Sequence, residues 1–425
     1  MPPIAAPRGT NDLLPDASSA WRWLHETHAR VVESFGYRLV DSPIFEHTEL
    51  FERGVGTSTD VVEKQMYTFT DRGGRSLTLR PEGTAGVLRA VMAGNALAEV
   101  RPARVHYAGP MFRSERPQKG RYHQFQQVGI ECIGERAAEL DVEVIEAGWR
   151  FITALGLADV DIQVNSLGDL EDRQRFREAL LAYYRPLADR LCDDCRRRLE
   201  VNPLRLLDCK RDAAPAAAAP LITDSLSATS AAYFDDVLSG LRAAGIAATL
   251  NPRLVRGLDY YAHTAFEYWH GSLQGSQNAL GGGGRYDGLA EVLGFASTPA
   301  TGYALGVERL LLVARQMATV PPSPPACEAV VCSVEPPQAA IAADLARQLR
   351  EAGLRVVLDA LDRKLDRKLR AADRLGASAA VIVGEDEARD GMATVRDLRQ
   401  RTQRRVGVAG LVAAVRATLA SPVAG

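Results

Sequence analysis

The stretch from Arg104 to Gly134, RVHYAGPMFRSERPQKGRYHQFQQVGIECIG, constrains the chain more than any other. It reads as two strands joined by a long basic loop. By the two-residue period of a strand, Val105, Tyr107, Gly109, Met111 and Arg113 share one face of the first. Phe125, Gln127, Gly129 and Glu131 share one face of the second. The loop between, Glu115 to His123, gathers Arg116, Lys119, Gly120 and Arg121 around a proline. A hairpin that turns Arg, Gln and Glu inward is not an ordinary apolar core, because a buried charge is costly unless paired. Two readings stay open: a structural Arg113–Glu131 ion pair, or a cradle for a ligand with both an anionic and a cationic group, such as a nucleotide beside an amino acid.

With 425 residues the chain has room for roughly two to three domains. Its net charge of −2 gives no global basic field, so any nucleic-acid contact has to be local. The N-terminus lacks a signal pattern and no apolar run approaches the ~18 residues of a membrane span, so the expected setting is the cytoplasm, with no membrane contact. Six cysteines do not make a disulfide framework at this length. Cys192-x-x-Cys195 and Cys209 offer three thiols without a fourth ligand at suitable spacing, so they read as reduced cysteines and no metal site is expected.

Taken in order, Asp16–Phe35 has helical periodicity closed by Gly36, and YRLVDSPIFE is a strand interrupted at Pro43. An edge strand beside an amphipathic helix suits either a dimer surface or a covered monomer edge. Met66–Thr70 and Ser76–Arg80 are strands around the turn at residues 71–74, and Pro81-Glu82-Gly83-Thr84 leads into a helix. Thr84 is there either as a helix cap or, with Glu82, as a grip on a ligand ammonium. Ala137–Leu155 is a helix and Asp161–Asn165 a strand. Residues 170–245 turn charged, alanine-rich and helical, as an inserted subdomain whose charge runs read as solvated faces. RLVRGLDYYAHTAFEYW then reads as strand, turn, strand, with an apolar strand at Arg253–Val255. In GGGGRYDGLAEVLG a glycine run opens a helix; it either cradles phosphate or lets a backbone approach closely. In GYALGVERLLLVARQ, Arg309 falls in the first turns of a helix, where it opposes the dipole and so is expected to face an anion.

TVPPSPPA, residues 319–326, is a semi-rigid linker. Beyond it strands at Ala329–Val334, Arg355–Leu358, Ala379–Val383 and Met392–Asp397 alternate with helices at Pro337–Ala352, Asp362–Leu375 and Gly410–Leu419, an α/β domain with a mostly parallel sheet. From residue 326 onward 16 Lys and Arg face 13 acidic residues, so the basic excess lies here. DRKLDRKLR places Leu361, Leu365 and Leu369 inward and Arg363, Lys364, Arg367 and Lys368 outward, either as a solvated helix laced by ion pairs or as a phosphate-backbone contact.

Arg113, Arg121, Arg256 and Arg309 stand among Glu82, Gln127, Glu131 and the pair Tyr260-Tyr261. The planar fork of arginine suits phosphate oxygens, and such a set suggests in-line chemistry on a nucleotide phosphate beside a polar, cationic second substrate.

FRSERPQKGRYHQFQQ resembles motif 2 of class II aminoacyl-tRNA synthetases in the histidyl form, and the 16–50 helix and strand resemble motif 1, the dimer interface of that class. TLRPEGTAG, RLVRGLDYY, GGGRYDGL and GVERL extend the resemblance to histidyl-tRNA synthetases from about Pro7 to the end. It implies an α+β catalytic domain on an antiparallel sheet over residues 1–325, interrupted by the 170–245 insertion, then an anticodon-binding α/β domain over 327–425. It also implies a cytoplasmic homodimer that ligates L-histidine to the 3′ end of histidine tRNA through a histidyl-adenylate, using ATP with Mg2+ carried on its phosphates. Arg256 and Arg113 are the implied catalytic residues. Arg113, Arg121 and Arg309 would hold ATP, and Gln118 would read the tRNA acceptor end. Glu82, Gly83, Thr84, Arg113, Gln127, Glu131, Arg256, Tyr260, Tyr261 and Tyr286 would hold histidine. A rival is a catalytically silent paralogue serving as a regulatory subunit in histidine biosynthesis; that family lacks the anticodon domain and an Arg256-type residue, and both are in this sequence.

Overall fold

In the computed structural model, which describes residues 3–56, 59, 61–115, 120–207, 209, 211–273 and 278–421, the opening hairpin lies inside a large sheet. Among the described residues that sheet runs Arg38–Leu39, Ala103–Phe112, Gln124–Ile133, Ala300–Gly306, Ala279–Arg285, Ala262–His270, Val160–Ser166, Ala248–Leu250. The six inner strands are antiparallel, and only the short outer strands join in parallel. Register sets Val105 against Glu131, Tyr107 against Gly129, Gly109 against Gln127 and Met111 against Phe125, so these side chains share a face. The break at Pro43 divides its strand: Arg38–Leu39 edges the large sheet, while Phe45–His47 joins Tyr67–Thr70 and Ser76–Leu79 in a small one.

Helices Pro15–Glu33, Ala138–Ala154 and Val307–Gln316 bury their apolar stripes in one core with the sheet, through Leu24, Ile145, Phe151 and Leu310 against Val128, Ile130 and Phe266. Each such side chain contributes about 1.5–3 kcal/mol. Under the middle helix lies a closed ionic cluster. Arg285 and Asp141, both fully buried, meet at 2.9 Å. Asp141 also accepts from the hydroxyls of Thr264 (2.6 Å) and Tyr233 (3.0 Å), and Arg285 reaches Asp287 at 3.0 Å.

Two expectations on this unit fail. Residues 253–255 form a turn and irregular backbone, not a strand; the strand is Ala248–Leu250. The glycine run opens no helix: Gly281–Gly284 lie within the Ala279–Arg285 strand, and a short helix follows at Leu289–Val292. Glycine is needed because the neighbouring backbones press close. A Cβ at Gly283 would collide with the Gly302 carbonyl, and one at Gly282 would come within 3.0 Å of Arg256.

The inserted region starts at helix Leu170–Tyr184, whose capping box pairs Asp169 with Asp172. It has its own core around Phe176, Leu180, Tyr184 and Leu199.

Residues Met1–Pro321 form one compact unit and Pro322–Gly425 a second. The second carries a sheet ordered Val356–Asp359, Ala329–Ser333, Ala379–Val383, Met392–Asp397, Gln403–Gly407. Its first three strands are parallel and its last two antiparallel, so the sheet is mixed rather than mostly parallel. The Gln403–Gly407 strand escaped the sequence reading because its exposed, arginine-rich QRRVG lacks apolar alternation. The basic helix begins at Leu365, not Asp362, since Asp359 accepts from the Leu361 amide and Arg363 and holds a turn there. Lys368 was expected outward but is buried, its ammonium donating to the Ser333 carbonyl at 2.9 Å, while Leu361, expected inward, is exposed. Among the described residues no helix is long and apolar enough to cross a membrane.

Candidate active site

The Pro81–Thr84 loop brings the first group of side chains together. Glu82 points its carboxylate at the start of helix Thr84–Ala93 and accepts from the amides of Thr84 (2.8 Å) and Ala85 (2.9 Å). Glu82 therefore caps this helix, a part the sequence suggested for Thr84. Thr84 is left to donate its hydroxyl to Glu131 Oε1 at 2.7 Å. Gly83 cannot carry a side chain, because a Cβ would collide with the Tyr107 ring. A Cβ at Gly129, the register partner of Tyr107, would strike the same ring.

Glu131 is fully buried, and its second oxygen accepts from the Tyr286 hydroxyl. The suggested ion pair with Arg113 is not made: Arg113 Nε donates to the Pro81 carbonyl at 2.8 Å and its guanidinium lies 5.2 Å from the Phe125 ring centre. Burial pushes the Glu131 carboxyl up to about 8, with the Glu82 charge adding to the rise and the Tyr286 and Thr84 hydroxyls opposing it. Burial also raises Glu82, against the amides it accepts from. The rings of Tyr260, Tyr261 and Tyr286 pack together at steep angles, Tyr260 lying 4.6 Å from Tyr261 and 5.6 Å from Tyr286. The Gln127 Oε1 is buried without a hydrogen-bond partner among the described residues.

This group opens into a cleft of about 420 Å³ whose walls include Arg113, Arg121, Arg256 and Arg309. Arg121 donates to Glu115 at 2.8 Å, and Arg309 to the Ala279 carbonyl at 2.7 Å. Burial holds Arg309 below the usual arginine range, and the Arg121 and Arg113 charges lower it further. Like charges gathered on one wall favour an anion. Arg256 pairs with Glu267 and lies 5.3 Å from the Tyr261 ring centre, while its Nε has no hydrogen-bond partner among the described residues. Burial pulls Arg256 down, but Tyr261 and Glu267 outweigh it and hold the guanidinium above its ordinary range. Glu267 was not foreseen. Its signal was a lone carboxylate in the apolar strand AHTAFEYW, and Trp269 fixes its other oxygen at 2.7 Å.

The structure thus brings together Glu82, Thr84, Arg113, Arg121, Gln127, Arg256, Tyr260, Tyr261 and Arg309 on one cleft, with Glu131 and Tyr286 behind Thr84. Gln118 lies outside the described residues, as do Arg116 and Lys119.

A wide antiparallel sheet with an arginine-lined cleft on it is the architecture of a class II aminoacyl-tRNA synthetase. The histidyl-tRNA synthetase profile matches residues 9–310, and an anticodon binding domain profile matches residues 328–418. The chain is 43% identical to a histidine–tRNA ligase of Halothermothrix orenii over 96% of its own length and 98% of that protein's. It is 46% identical to one of Synechocystis over 95% and 90% of the two chains. The crystal structure of apo Staphylococcus aureus histidyl-tRNA synthetase superposes with a TM-score of 0.83 at 34% identity, covering 97% of this chain and 100% of that one. The chain belongs to the histidyl-tRNA synthetase family.

Proposed function

We infer that this chain is a histidine–tRNA ligase: it activates L-histidine with ATP and transfers it to the 3′ end of histidine tRNA. The observation that carries this reading is the meeting of two environments, an arginine-lined cleft and, directly behind its Thr84, the buried Glu131–Tyr286 pair. The pocket suits a polar ring that both gives and takes hydrogen bonds. Glu131, neutral in large part near pH 7, offers a proton donor to one imidazole nitrogen and becomes an acceptor when ionised. A site built on such bonds rejects analogues lacking them by about 10⁴ or more without editing.

Glu82, Thr84 and Gln127 face the amino acid's backbone groups, Gln127 with an oxygen still lacking a donor. Tyr260 and Tyr261 close the pocket with their rings. Arg113 orients the histidine carboxylate and the α-phosphate. A carboxylate oxygen then attacks the α-phosphorus, the bond to the β-phosphate oxygen breaks, and pyrophosphate leaves. Arg256, steadied by Glu267 and Tyr261, stabilises the charge that grows at the α-phosphate, while Arg121 and Arg309 hold the departing phosphates. Mg2+ bound with ATP would neutralise phosphate charge, and the carboxylates of Glu115 and Glu308 on the cleft wall would be its oxygen donors. In the second step the terminal tRNA hydroxyl attacks the adenylate carbonyl and AMP leaves, with Gln118 at the acceptor end and the C-terminal unit on the anticodon.

The working form is a cytoplasmic homodimer joined through residues 16–50, supported by Leu39, Ile44 and Phe45, large apolar side chains left exposed there. The regulatory-subunit reading is set aside, because the ligase relatives match across both units. ATP–pyrophosphate exchange with each of the twenty amino acids tests the reading. Exchange is expected with histidine alone, and its absence, or dependence on another amino acid, overturns it.

A further inference from the structure

The inserted region holds a second constellation that the ligation chemistry does not use. Cys192 directly precedes helix Asp193–Val201 and Cys195 lies in its first turn. The chain passes through the short helix Pro203–Leu206 and returns Cys209 and Asp212 to the same point. The ligand atoms of all four residues lie within 4.8 Å of one another. Cys192 Sγ is 3.8 Å from Cys209 Sγ, and Cys209 Sγ is 3.7 Å from Asp212 Oδ2. Zinc bonds of about 2.3 Å to sulfur and about 2.1 Å to oxygen give a tetrahedron with edges of about 3.8 Å (S–S) and about 3.6 Å (S–O). The two distances match these edges. A disulfide would need sulfurs about 2.05 Å apart, and all the cysteines are free.

We propose that Cys192, Cys195, Cys209 and Asp212 form a structural zinc site. Three sulfurs and one carboxylate oxygen complete a four-coordinate shell, with each thiol releasing its proton to solvent as it ligates. The Cys192 amide donates to Asp212 Oδ2 at 3.1 Å and so fixes the carboxylate that closes the shell. The setting suits a structural role. Cys195 is fully buried, and Cys192 and Cys209 pack against the core of the insertion, around Tyr184, Leu199 and Leu206. A core that small gains most from a metal staple. The site also has a lever on the catalytic unit: Asn202, at the end of the Cys195 helix, donates to Asp259 Oδ1 at 3.1 Å, in the loop between Arg256 and Tyr261.

The test is metal analysis of the full-length chain, purified under reducing conditions from zinc-supplemented cells and dialysed against metal-free buffer. About one zinc per chain is expected by mass spectrometry of the elements. Cobalt added to the stripped chain should give thiolate-to-cobalt charge transfer and the strong visible bands of tetrahedral cobalt. Cys209→Ser should lower bound zinc at least tenfold, with circular dichroism reporting whether the rest of the fold survives. Asp212→Cys restores four ligands and should keep zinc, with its cobalt spectrum moved toward four thiolates, which guards against a Cys209→Ser chain that merely misfolds. A reduced wild-type chain with neither zinc nor a tetrahedral cobalt spectrum overturns the proposal. So does Cys209→Ser with full zinc, or a chain that carries iron in zinc's place.

Discussion

Two buried acids in the catalytic unit meet opposite ends. Asp141, in the first turn of the helix Ala138–Ala154, faces a fully buried arginine and two hydroxyls that donate to it. Glu131, at the back of the cleft, is equally buried and, among the described residues, receives only hydroxyls. The first is closed upon itself. The second lacks a cation, and burial has raised its affinity for a proton instead. The same contrast separates Arg285, whose guanidinium meets two carboxylates, from Arg256, which keeps a buried Nε unpartnered among the described residues. The Asp141–Arg285 pair serves the fold, while the groups left open at the cleft are available to a ligand.

Breaking the closed cluster should cost most. Asp141→Ala leaves Arg285 without its principal partner and is expected to destabilise the fold by about 3–5 kcal/mol in denaturant unfolding. A loss under 1 kcal/mol would mean that Asp287 alone suffices for Arg285 and that the contrast is false. Next comes Arg256→Ala, which should slow adenylate formation by about 10²–10³-fold, equivalent to about 2.7–4 kcal/mol of barrier. Arg256→Lys should recover only part, because a point charge cannot reproduce the fork. Transfer from preformed adenylate should suffer much less, and single-turnover assays separate the steps. Equal impairment of both would remove Arg256 from the α-phosphate.

A smaller effect concerns pH. The folded chain holds the Glu131 proton up to about 8, whereas the unfolded chain loses it near 4.5. Between those values the folded state binds the extra proton, so this group's contribution to stability falls as pH rises, by up to about 1.4 kcal/mol per unit. Glu131→Gln, always neutral, should flatten that slope while crippling histidine-dependent exchange. Parallel denaturation midpoints for wild type and variant across that range would show that Glu131 is ionised throughout. The smallest effect lies far from either acid. Arg367→Glu, on the exposed side of the basic helix, should leave adenylation unchanged and reduce the salt dependence of tRNA binding by about one unit of slope. An unchanged slope would take that helix out of the tRNA contact.

The arginines and the hairpin were legible in the sequence because strand period and charge conflict there. No apolar sheet explains Arg113, Gln127 and Glu131 together. What pairs with what was less legible, since partners lie on different elements of the fold. Glu267 for Arg256 and Tyr286 for Glu131 meet only once the sheet has formed. The glycine run misled because Gly-rich loops and Gly-rich strands look alike until a neighbouring backbone is in place. Lys368 misled because its carbonyl partner, Ser333, is 35 residues away. Asp212 was missed although Cys209-x-x-Asp212 repeats the spacing of Cys192-x-x-Cys195, because an acid in a charged, alanine-rich stretch reads as a solvated side chain until the fold returns it to the thiols.

The backing of the Glu131 pocket bears on how far this enzyme can be retrained. A Cβ at Gly302 would strike both the Glu131 carboxylate and the Ile130 carbonyl, and one at Gly283 would strike Gly302 itself. At Gly302 and Gly283 the rear of the pocket is therefore main chain packed on main chain, with no room for an added side chain. An engineer seeking a ligase for a bulkier histidine analogue gains nothing from the rear. The usable positions are Thr84, Tyr261 and Tyr286, and each already touches another part of the site. A selection experiment should accumulate its changes there in groups rather than singly, and leave the glycines alone.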